Sequence, residues 1–457
     1  MDNIRISRIQ VKKLFGTINY DIHLDEIEPI AIIIAPNGRG KTTLLNLLSF
    51  VLNPSDNTFK TIQTIPFEVF RLVLSNGKKV ELKRDPRKTD AKKQTSNQSR
   101  NQEWLKYIAN MLKHGTTNSL LDPLFENTNY IVSIYEDEKE LDSIDYHEET
   151  NGKYLSFDFF GSPDSIESDP SHRRVQSNSS ASRNKKLWDK QNELLIKHKC
   201  NVFVNYIKTD RIQPFITSNE SEKSPLVKAS DFICDLVKNA TDQYNESVSM
   251  AKDKLPQMFL DGEEGSTLNC NEFLNGWSEY RKKLNQFQEI GLITPTEDFI
   301  NGRNIPNEYK ENGRFLSTYL SAFKDTTTPL LNIYNKLHLF KQILDERNAI
   351  TGKKLMFKRE GITLSSKGME IDLDSLSSGE KHDFIMFFNL LFNCQDGGLV
   401  LIDEPEISLH IQWQETYLDR LIAICKMNDL QAIVATHSPN IVSTHYDLLV
   451  DKGETDE

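Results

Sequence analysis

Apolar and polar positions alternate along the N-terminal residues, with Ile4, Ile6, Ile9 and Val11, then Tyr20, Ile22 and Leu24 beyond Gly16. A period of two sends successive side chains to opposite faces and predicts half-buried strands. The alternation then gives way to a continuous apolar run from Ile30 to Ile34, the pattern of a strand buried on both faces. Leu44, Leu45, Leu47, Leu48 and Val51 recur next at helical spacing, so this part of the chain predicts buried strand, loop and helix in that order. A hairpin is expected from Phe67 to Leu74 and Lys78 to Arg84, joined at Asn76-Gly77, a dipeptide that tolerates positive φ.

Farther along, Pro86 to Gln102 and Ser162 to Lys186 hold hardly an apolar residue and are expected to be mobile surface loops, with an acidic stretch, Glu136 to Glu149, reading as a solvated face. Strand character reappears from Asn201 to Ile207. Between about 224 and 347, Phe273, Trp277, Tyr280, Leu284 and Phe287, and then Leu330, Ile333, Tyr334, Leu337 and Leu344, recur every three or four residues and predict packed helices. Strands are expected again at Leu355 to Lys358, Ile362 to Ser365, Leu399 to Ile402 and Gln431 to Ala435. The sum is an α/β fold: a mixed central sheet around the loop after Ile34, an antiparallel β subdomain and a helical insertion. The expected division is residues 1–223, 224–347 and 348–457.

The chain has 457 residues, and its 55 Lys+Arg against 66 Asp+Glu leave a formal charge of −11. With 38% hydrophobic residues it has the material for a substantial core. No apolar run approaches the roughly 20 residues that cross a bilayer, and the N-terminus lacks the basic and apolar regions of a secretory signal, so a cytoplasmic protein without a membrane partner is expected. Five scattered cysteines with no C-x-x-C pair predict reduced, mostly buried thiols. The acidic balance argues against indiscriminate coating of nucleic acid. Arg84, Arg87, Lys88, Lys92 and Lys93 are either a local DNA-touching surface or simply solvated charge.

Four segments carry chemistry. Ala35 to Thr42 fits G-x-x-x-x-G-K-[ST] except that alanine replaces the first glycine. Backbone N–H groups of such a loop converge on phosphate oxygens at the positive end of the following helix. Gly38 and Gly40 permit close approach, Lys41 supplies a charge for the β- and γ-phosphates, and Thr42 supplies a hydroxyl for Mg²⁺. The run Leu399 to Ile402 ends in Asp403 and Glu404, which are either a solvated acidic turn or a pair in which Asp403 organises Mg²⁺ and Glu404 polarises the attacking water. A second run delivers His437 within Thr436-His437-Ser438-Pro439, where a neutral imidazole could meet the γ-phosphate or the water. Ser377-Ser378-Gly379-Glu380 precedes an apolar helix and reads as a helix cap, a geometry that also suits an anion.

In this order the phosphate loop, Leu376-Ser377-Ser378-Gly379-Glu380, Asp403-Glu404 and Thr436-His437 resemble the head of an ABC-type ATPase. The resemblance implies ATP and Mg²⁺ as cofactors and a homo-oligomer with composite ATP sites. Asn37, Gly38, Arg39, Gly40, Lys41, Thr42 and Thr43 of one copy would bind the nucleotide, and Ser377, Ser378, Gly379 and Glu380 of another would cap it. It further implies Glu404 as catalytic base, aided by His437, and Thr42 and Asp403 at the metal. Gln213 is the candidate for the glutamine that senses Mg²⁺, with Gln63 in competition.

The wording Glu404-Pro405-Glu406-Ile407-Ser408-Leu409-His410 and the long separation of Thr42 from Leu376 resemble the DNA-repair and phage-defence branch rather than transporter subunits. Within that branch the chain is similar to the Septu-system ATPases (PtuA) and retron-associated relatives. The implied role is a regulatory or sensor subunit controlling an HNH nuclease partner (PtuB-like), with an ATP-gated DNA clamp or scaffold in recombination or repair as the alternative. The short stretch after His437 leaves no room for a C-terminal Toprim nuclease, and no compact nuclease constellation stands out, which places the expected cutting activity in a partner.

Overall fold

The computed structural model describes residues 4–24, 29–36, 38–63, 65–84, 130–146, 177–208, 224–260, 268–294, 305–349, 351–358, 361–407, 409–450 and 454–455. The N-terminal alternation builds an antiparallel sheet from β1 (Ile6–Leu14) and β2 (Ile18–His23), extended by β4 (Val69–Leu74), β5 (Lys79–Arg84), β6 (Tyr130–Glu136), β7 (Lys139–Tyr146) and the short β14 (Glu454–Thr455). Its register sets Ile9 beside Ile22 and Leu72, Leu72 beside Val80, and Val80 beside Ile134, so these strands share one apolar face. The expected hairpin turn is present at Asn76-Gly77, where Gly77 has φ +79°.

A second sheet lies within the same unit, in the order β3 (Ile30–Ile34), β13 (Gln431–Thr436), β12 (Leu399–Asp403), β8 (Val204–Lys208). Where the sequence predicts a mixed central sheet, these four strands pair in parallel throughout, and antiparallel pairing is confined to the other sheets. Their near-continuous apolar runs suit a sheet covered on both faces. Helix α1 (Lys41–Leu52) packs on β8, β12 and β13. Its residues Leu44, Leu45, Leu47, Leu48, Phe50 and Val51 are fully buried in one core with the apolar face of the antiparallel sheet.

Two buried amides tie this core together. Gln431 at the start of β13 exchanges a pair of 2.8 Å hydrogen bonds with the backbone N–H and C=O of Ile6, imitating a ladder rung between the two sheets. Gln191, in a helix spanning Ser177–Lys197, donates to Val51 O at 2.7 Å and to Phe50 O at 3.3 Å. It thereby satisfies carbonyls that the last turn of α1 leaves open.

The structure adds a strand to one polar segment, whose described charges are exposed or half-buried as expected, and corrects the expectation for another. The acidic stretch read as a solvated face contributes β7, because Tyr146 pairs with Tyr130 and its buried ring packs edge-on against Phe50, while the charged residues line a sheet edge. The loop expected to end at Lys186 overlaps the Ser177–Lys197 helix, whose apolar positions lie toward its C-terminal end at Leu194 and Leu195. Pro86 to Gln102 lies outside the described residues.

The chain divides into two units, Met1–Asp210 with Gln395–Glu457, and Arg211–Cys394. With α2 (Asp56–Gln63) and α3 (Ser177–Lys197) in the first, the second holds α4 (Pro225–Leu260), α5 (Cys270–Glu289), α6 (Ile305–Phe323), α7 (Thr328–Arg347) and α8 (Ser378–Phe388). It also holds a three-stranded antiparallel sheet of β9 (Lys353–Lys358), β10 (Gly361–Ser366) and β11 (Met369–Ile371). The aromatic stripe from Phe273 to Phe287 is buried, with Phe273 and Trp277 stacked at 6.1 Å, which makes it helix packing. No described helix is long and apolar enough to cross a membrane.

All five cysteines are thiols. Burial pushes Cys200 up to about 11 and Cys394 up to about 12, and Cys425 is also buried, while Cys234 and Cys270 are partly exposed. Because the thiolate is the reacting form, brief alkylation of the folded protein followed by mass spectrometry should label Cys234 and Cys270 and spare the other three. Equal labelling of Cys200 or Cys394 would contradict this packing.

Candidate functional site

The loop from Ala35 to Lys41 leaves the end of β3 and enters α1. Gly38 and Gly40 adopt φ of +85° and +80°, the left-handed region that disfavours a Cβ. At Gly40 a Cβ would also stand 2.8 Å from Leu14 Cδ2 and 2.9 Å from Phe15 Cε2, whereas at Gly38 it would meet nothing. The loop is therefore packed against β1 on one side and open on the other. Tyr20 fixes its middle by donating a 2.7 Å hydrogen bond to Arg39 O.

Helix α1 begins at Lys41 with no side-chain cap and no acidic residue in its first turn, so its leading N–H groups and dipole are left for an external acceptor. Lys41 is buried and its ammonium donates to Ala35 O at 2.5 Å and Pro36 O at 3.3 Å. Thr42 is exposed and Thr43 partly so. Asn37 lies outside the described residues.

Parallel pairing lines up the strand ends beside this loop. Ile34 pairs with Thr436, Ala435 with Asp403, and Asp403 with Lys208. A parallel sheet therefore delivers the phosphate loop, His437 and the acidic pair to a single edge, the C-terminal ends of its strands, which is the edge where α/β sheets bind ligands.

Asp403 is buried, and Tyr206 Oη donates toward its Oδ2 at 3.5 Å. Glu404 stands at φ +48°, a left-handed conformation that costs a non-glycine residue about 1–2 kcal/mol. Its N–H donates to Ala435 O at 2.8 Å, which holds the turn and carries the side chain off the strand end. One Glu404 oxygen lies 4.0 Å from His437 Nδ1.

The nearer carboxylate is one the sequence did not single out. Glu406, in the single turn Pro405–Ile407, accepts through Oε1 from Thr436 Oγ1 and from His437 N, both at 2.8 Å, and the same oxygen is 2.8 Å from His437 Nδ1. Gln414 adds an outer support, donating to Glu406 O at 3.4 Å and Leu409 O at 3.2 Å and accepting from Ser438 Oγ at 2.9 Å. The available signal was a second acid two residues after Glu404 across a proline. Nothing in the sequence, however, says that one acid is half-buried and the next buried.

The Ser-Ser-Gly-Glu segment opens α8 in the second unit. Ser377 is the N-cap: its Oγ accepts from Glu380 N at 3.3 Å while Glu380 Oε2 accepts from Ser377 N at 2.7 Å, a complete capping box. Lys353 donates to the same Glu380 oxygen at 2.8 Å and Thr351 Oγ1 to the other at 3.2 Å. Burial alone would raise the Glu380 carboxyl, but the hydrogen bonds from Lys353 and Ser377 hold it below its ordinary value. Glu380 thus stabilises the cap from within, while Ser377, Ser378 and Gly379 are exposed and the space around Gly379 is open.

Behind them, Asp383 accepts from Arg347 at 2.8 Å, both buried, and Arg347 stacks 4.6 Å from the Phe387 ring. Burial, which outweighs the neighbouring Arg347, pushes the Asp383 carboxyl up to about 6.

The first unit therefore brings together Gly38, Arg39, Gly40, Lys41, Thr42, Thr43, Asp403, Glu404 and His437. The second holds Ser377, Ser378, Gly379 and Glu380 on one helix start. Gln213 lies outside the described residues, and Gln63 closes α2.

The donor set fits a nucleotide with a hard cation. An open, uncapped helix start suits phosphates. Mg²⁺ is commonly held by one or two protein oxygens and by the phosphates themselves, which Thr42 and Asp403 could supply. Among the described residues no cluster of three or more His, Cys, Asp or Glu is placed to hold a metal without such help.

A family model described as "AAA domain, putative AbiEii toxin, Type IV TA system" matches residues 258–443. The "Retron Vc95 probable ATPase" of Vibrio cholerae serotype O1 biovar El Tor is 33% identical over 202 residues, 39% of this chain and 37% of that protein, so the match spans well under half of the curated relative. A solved SMC head, bound to the C-terminal winged-helix domain of ScpA, aligns over 96% of this chain and 91% of its own at 13% identity and a TM-score of 0.33. The fold is α/β, with a parallel sheet whose strand β3 leads through the glycine-bearing loop into α1, and the region carrying Ser377 to Glu380, Asp403, Glu404 and His437 is similar to an AAA domain.

Proposed function

We propose that the chain is a Mg²⁺-dependent ABC-type ATPase that serves as the regulatory or sensor subunit of an anti-phage defence complex and controls an HNH nuclease partner. The observation that carries the catalytic part is the shared edge of the parallel sheet: an uncapped helix start with Lys41, then His437, then Asp403 and Glu404. In this reading Lys41 leaves Ala35 O and Pro36 O for the β- and γ-phosphates, and the N–H groups of Gly38 to Thr43 surround them. Thr42 and Asp403 hold Mg²⁺, which when bound neutralises charge on the phosphate oxygens. Glu404 takes a proton from the attacking water. Ser377, Ser378 and Gly379 of a second copy close over the γ-phosphate, and the capping box leaves the Ser377 hydroxyl hydrogen free to donate.

The defence role is supported by similarity to a retron-associated probable ATPase and by the Glu-Pro-Glu wording after the strand. The HNH partner rests on that wording alone. Co-purification of the chain with the product of a neighbouring gene, should that gene encode an HNH nuclease, tests the partner, and separate elution at all nucleotide conditions would remove it.

For the nucleotide site, Lys41→Ala should weaken MgATP binding by about 10- to 100-fold in equilibrium titration, since a charge-assisted contact to phosphate is lost. Unchanged affinity would exclude this loop as the phosphate site.

A further inference from the structure

The environment of Glu406 specifies more than a structural tie. Its residue is 8% exposed, and a carboxylate this buried is tolerated only where donors replace its lost hydration. Its hydrogen-bond donors both come from the segment that carries the histidine, Thr436 Oγ1 and His437 N, each 2.8 Å from Oε1, and the ring nitrogen His437 Nδ1 lies 2.8 Å from the same oxygen. The second oxygen is buried with no hydrogen-bond partner among the described residues, so Oε1 alone makes these contacts.

A carboxylate oxygen accepts and cannot donate, so a neutral ring with Nδ1 at this distance carries its proton there. Nε2, on the opposite side of a side chain that is 45% exposed, is then bare. Glu404, at 4.0 Å, is beyond hydrogen-bonding distance from the same nitrogen and does not compete for it. A bare nitrogen cannot donate to a phosphate oxygen, but it can accept from water.

We infer that Glu406 is a positioning residue that holds His437 as the Nδ1–H tautomer, so that Nε2 accepts a hydrogen bond from the attacking water rather than donating one to the γ-phosphate. Its functional half rests on the ATPase reading above. The tautomer is a property of the nucleotide-free protein and is measurable without any turnover.

The test is ¹⁵N NMR of the histidine rings in the full nucleotide-free chain at neutral pH, with the His437 signals identified by their loss in His437→Gln. The wild type should show a protonated Nδ1 and an unprotonated Nε2. Glu406→Ala should move the ring toward Nε2–H, and Glu406→Gln, whose amide oxygen still accepts, should keep Nδ1–H. In single-turnover reactions with MgATP, Glu406→Ala should slow phosphate release about 10- to 100-fold with nucleotide affinity within about twofold of wild type, and Glu406→Gln should recover most of the rate, the range expected when the partner that orients a working imidazole is lost. A wild-type ring protonated at Nε2, or a tautomer unmoved by Glu406→Ala, overturns the inference. So does equal impairment of both variants accompanied by lost affinity, which would mark Glu406 as structural. The expected tautomer in a protein that releases no phosphate would overturn the ATPase reading, and with it the role toward water, while leaving the tautomer assignment standing.

Discussion

Glu404→Gln should lower MgATP-driven phosphate release by about 100-fold or more while leaving nucleotide binding nearly unchanged. Glutamine keeps the shape and the hydrogen-bonding oxygen of glutamate but cannot take a proton at neutral pH. General-base assistance commonly contributes about 10²- to 10⁴-fold, or roughly 3–5 kcal/mol of barrier. The local backbone suits a general base, since the strand ends at Asp403, the chain turns left-handed at Glu404, and the Glu404 N–H is held by Ala435 O at 2.8 Å. Those features are backbone features and survive the substitution, so a loss of rate would report chemistry rather than folding. The measurement is phosphate release at saturating MgATP beside equilibrium nucleotide binding. Equal rates for wild type and variant would remove Glu404 from the role of base.

Asp383→Ala should destabilise the second unit by about 3–5 kcal/mol, the range for breaking a buried ion pair from one side. Arg347 and Asp383 are both about 95% buried or more at their side chains, and the substitution leaves the Arg347 guanidinium inside the protein without this carboxylate. Its contact with Phe387 offsets only a small part, since a cation over a ring contributes about 0.5–2 kcal/mol. Replacing both residues by apolar ones of similar volume, Arg347→Met with Asp383→Leu, should recover most of the loss, because two such groups avoid the desolvation that the ion pair must overcome. Urea unfolding of the single and double variants measures this, and a single-variant loss below about 1 kcal/mol would mean that the pair contributes little. Asp383 lies one helical turn beyond Glu380, so the same loss would loosen the helix that presents Ser377 and Gly379.

The conformation of the loop from Gly38 to Lys41 was legible because it is local: Gly38 and Gly40 at positive φ and the helix start at Lys41 are set by nearest neighbours in the chain. The acidic pair and His437 were legible for a related reason, as each ends an apolar run that can only be a buried strand. Their common edge followed once those strands paired in parallel. The polar segments were less legible. Lys139–Tyr146 carries little hydrophobic signal, yet it forms a strand because β6 offers an unpaired edge and Tyr146 reaches the core beside Phe50. The Ser377–Glu380 segment illustrates a third case: its cap is written in Ser377 and Glu380, but its grip on Lys353 and Thr351 is not.

The sequence by itself determined the strand, glycine-bearing loop and helix from Ile30 to Leu52, the strands that end at Asp403 and Thr436, and the helical stripes, since each depends on periodicity, turn geometry or glycine within a few residues. Only the tertiary structure decided that Glu406 rather than Glu404 holds His437, that Arg347 and Asp383 share a buried site, and that α8 belongs with the unit from Arg211 to Cys394. Burial and pairing of a charge depend on which distant segments meet around it. Neighbours along the chain carry no record of that meeting.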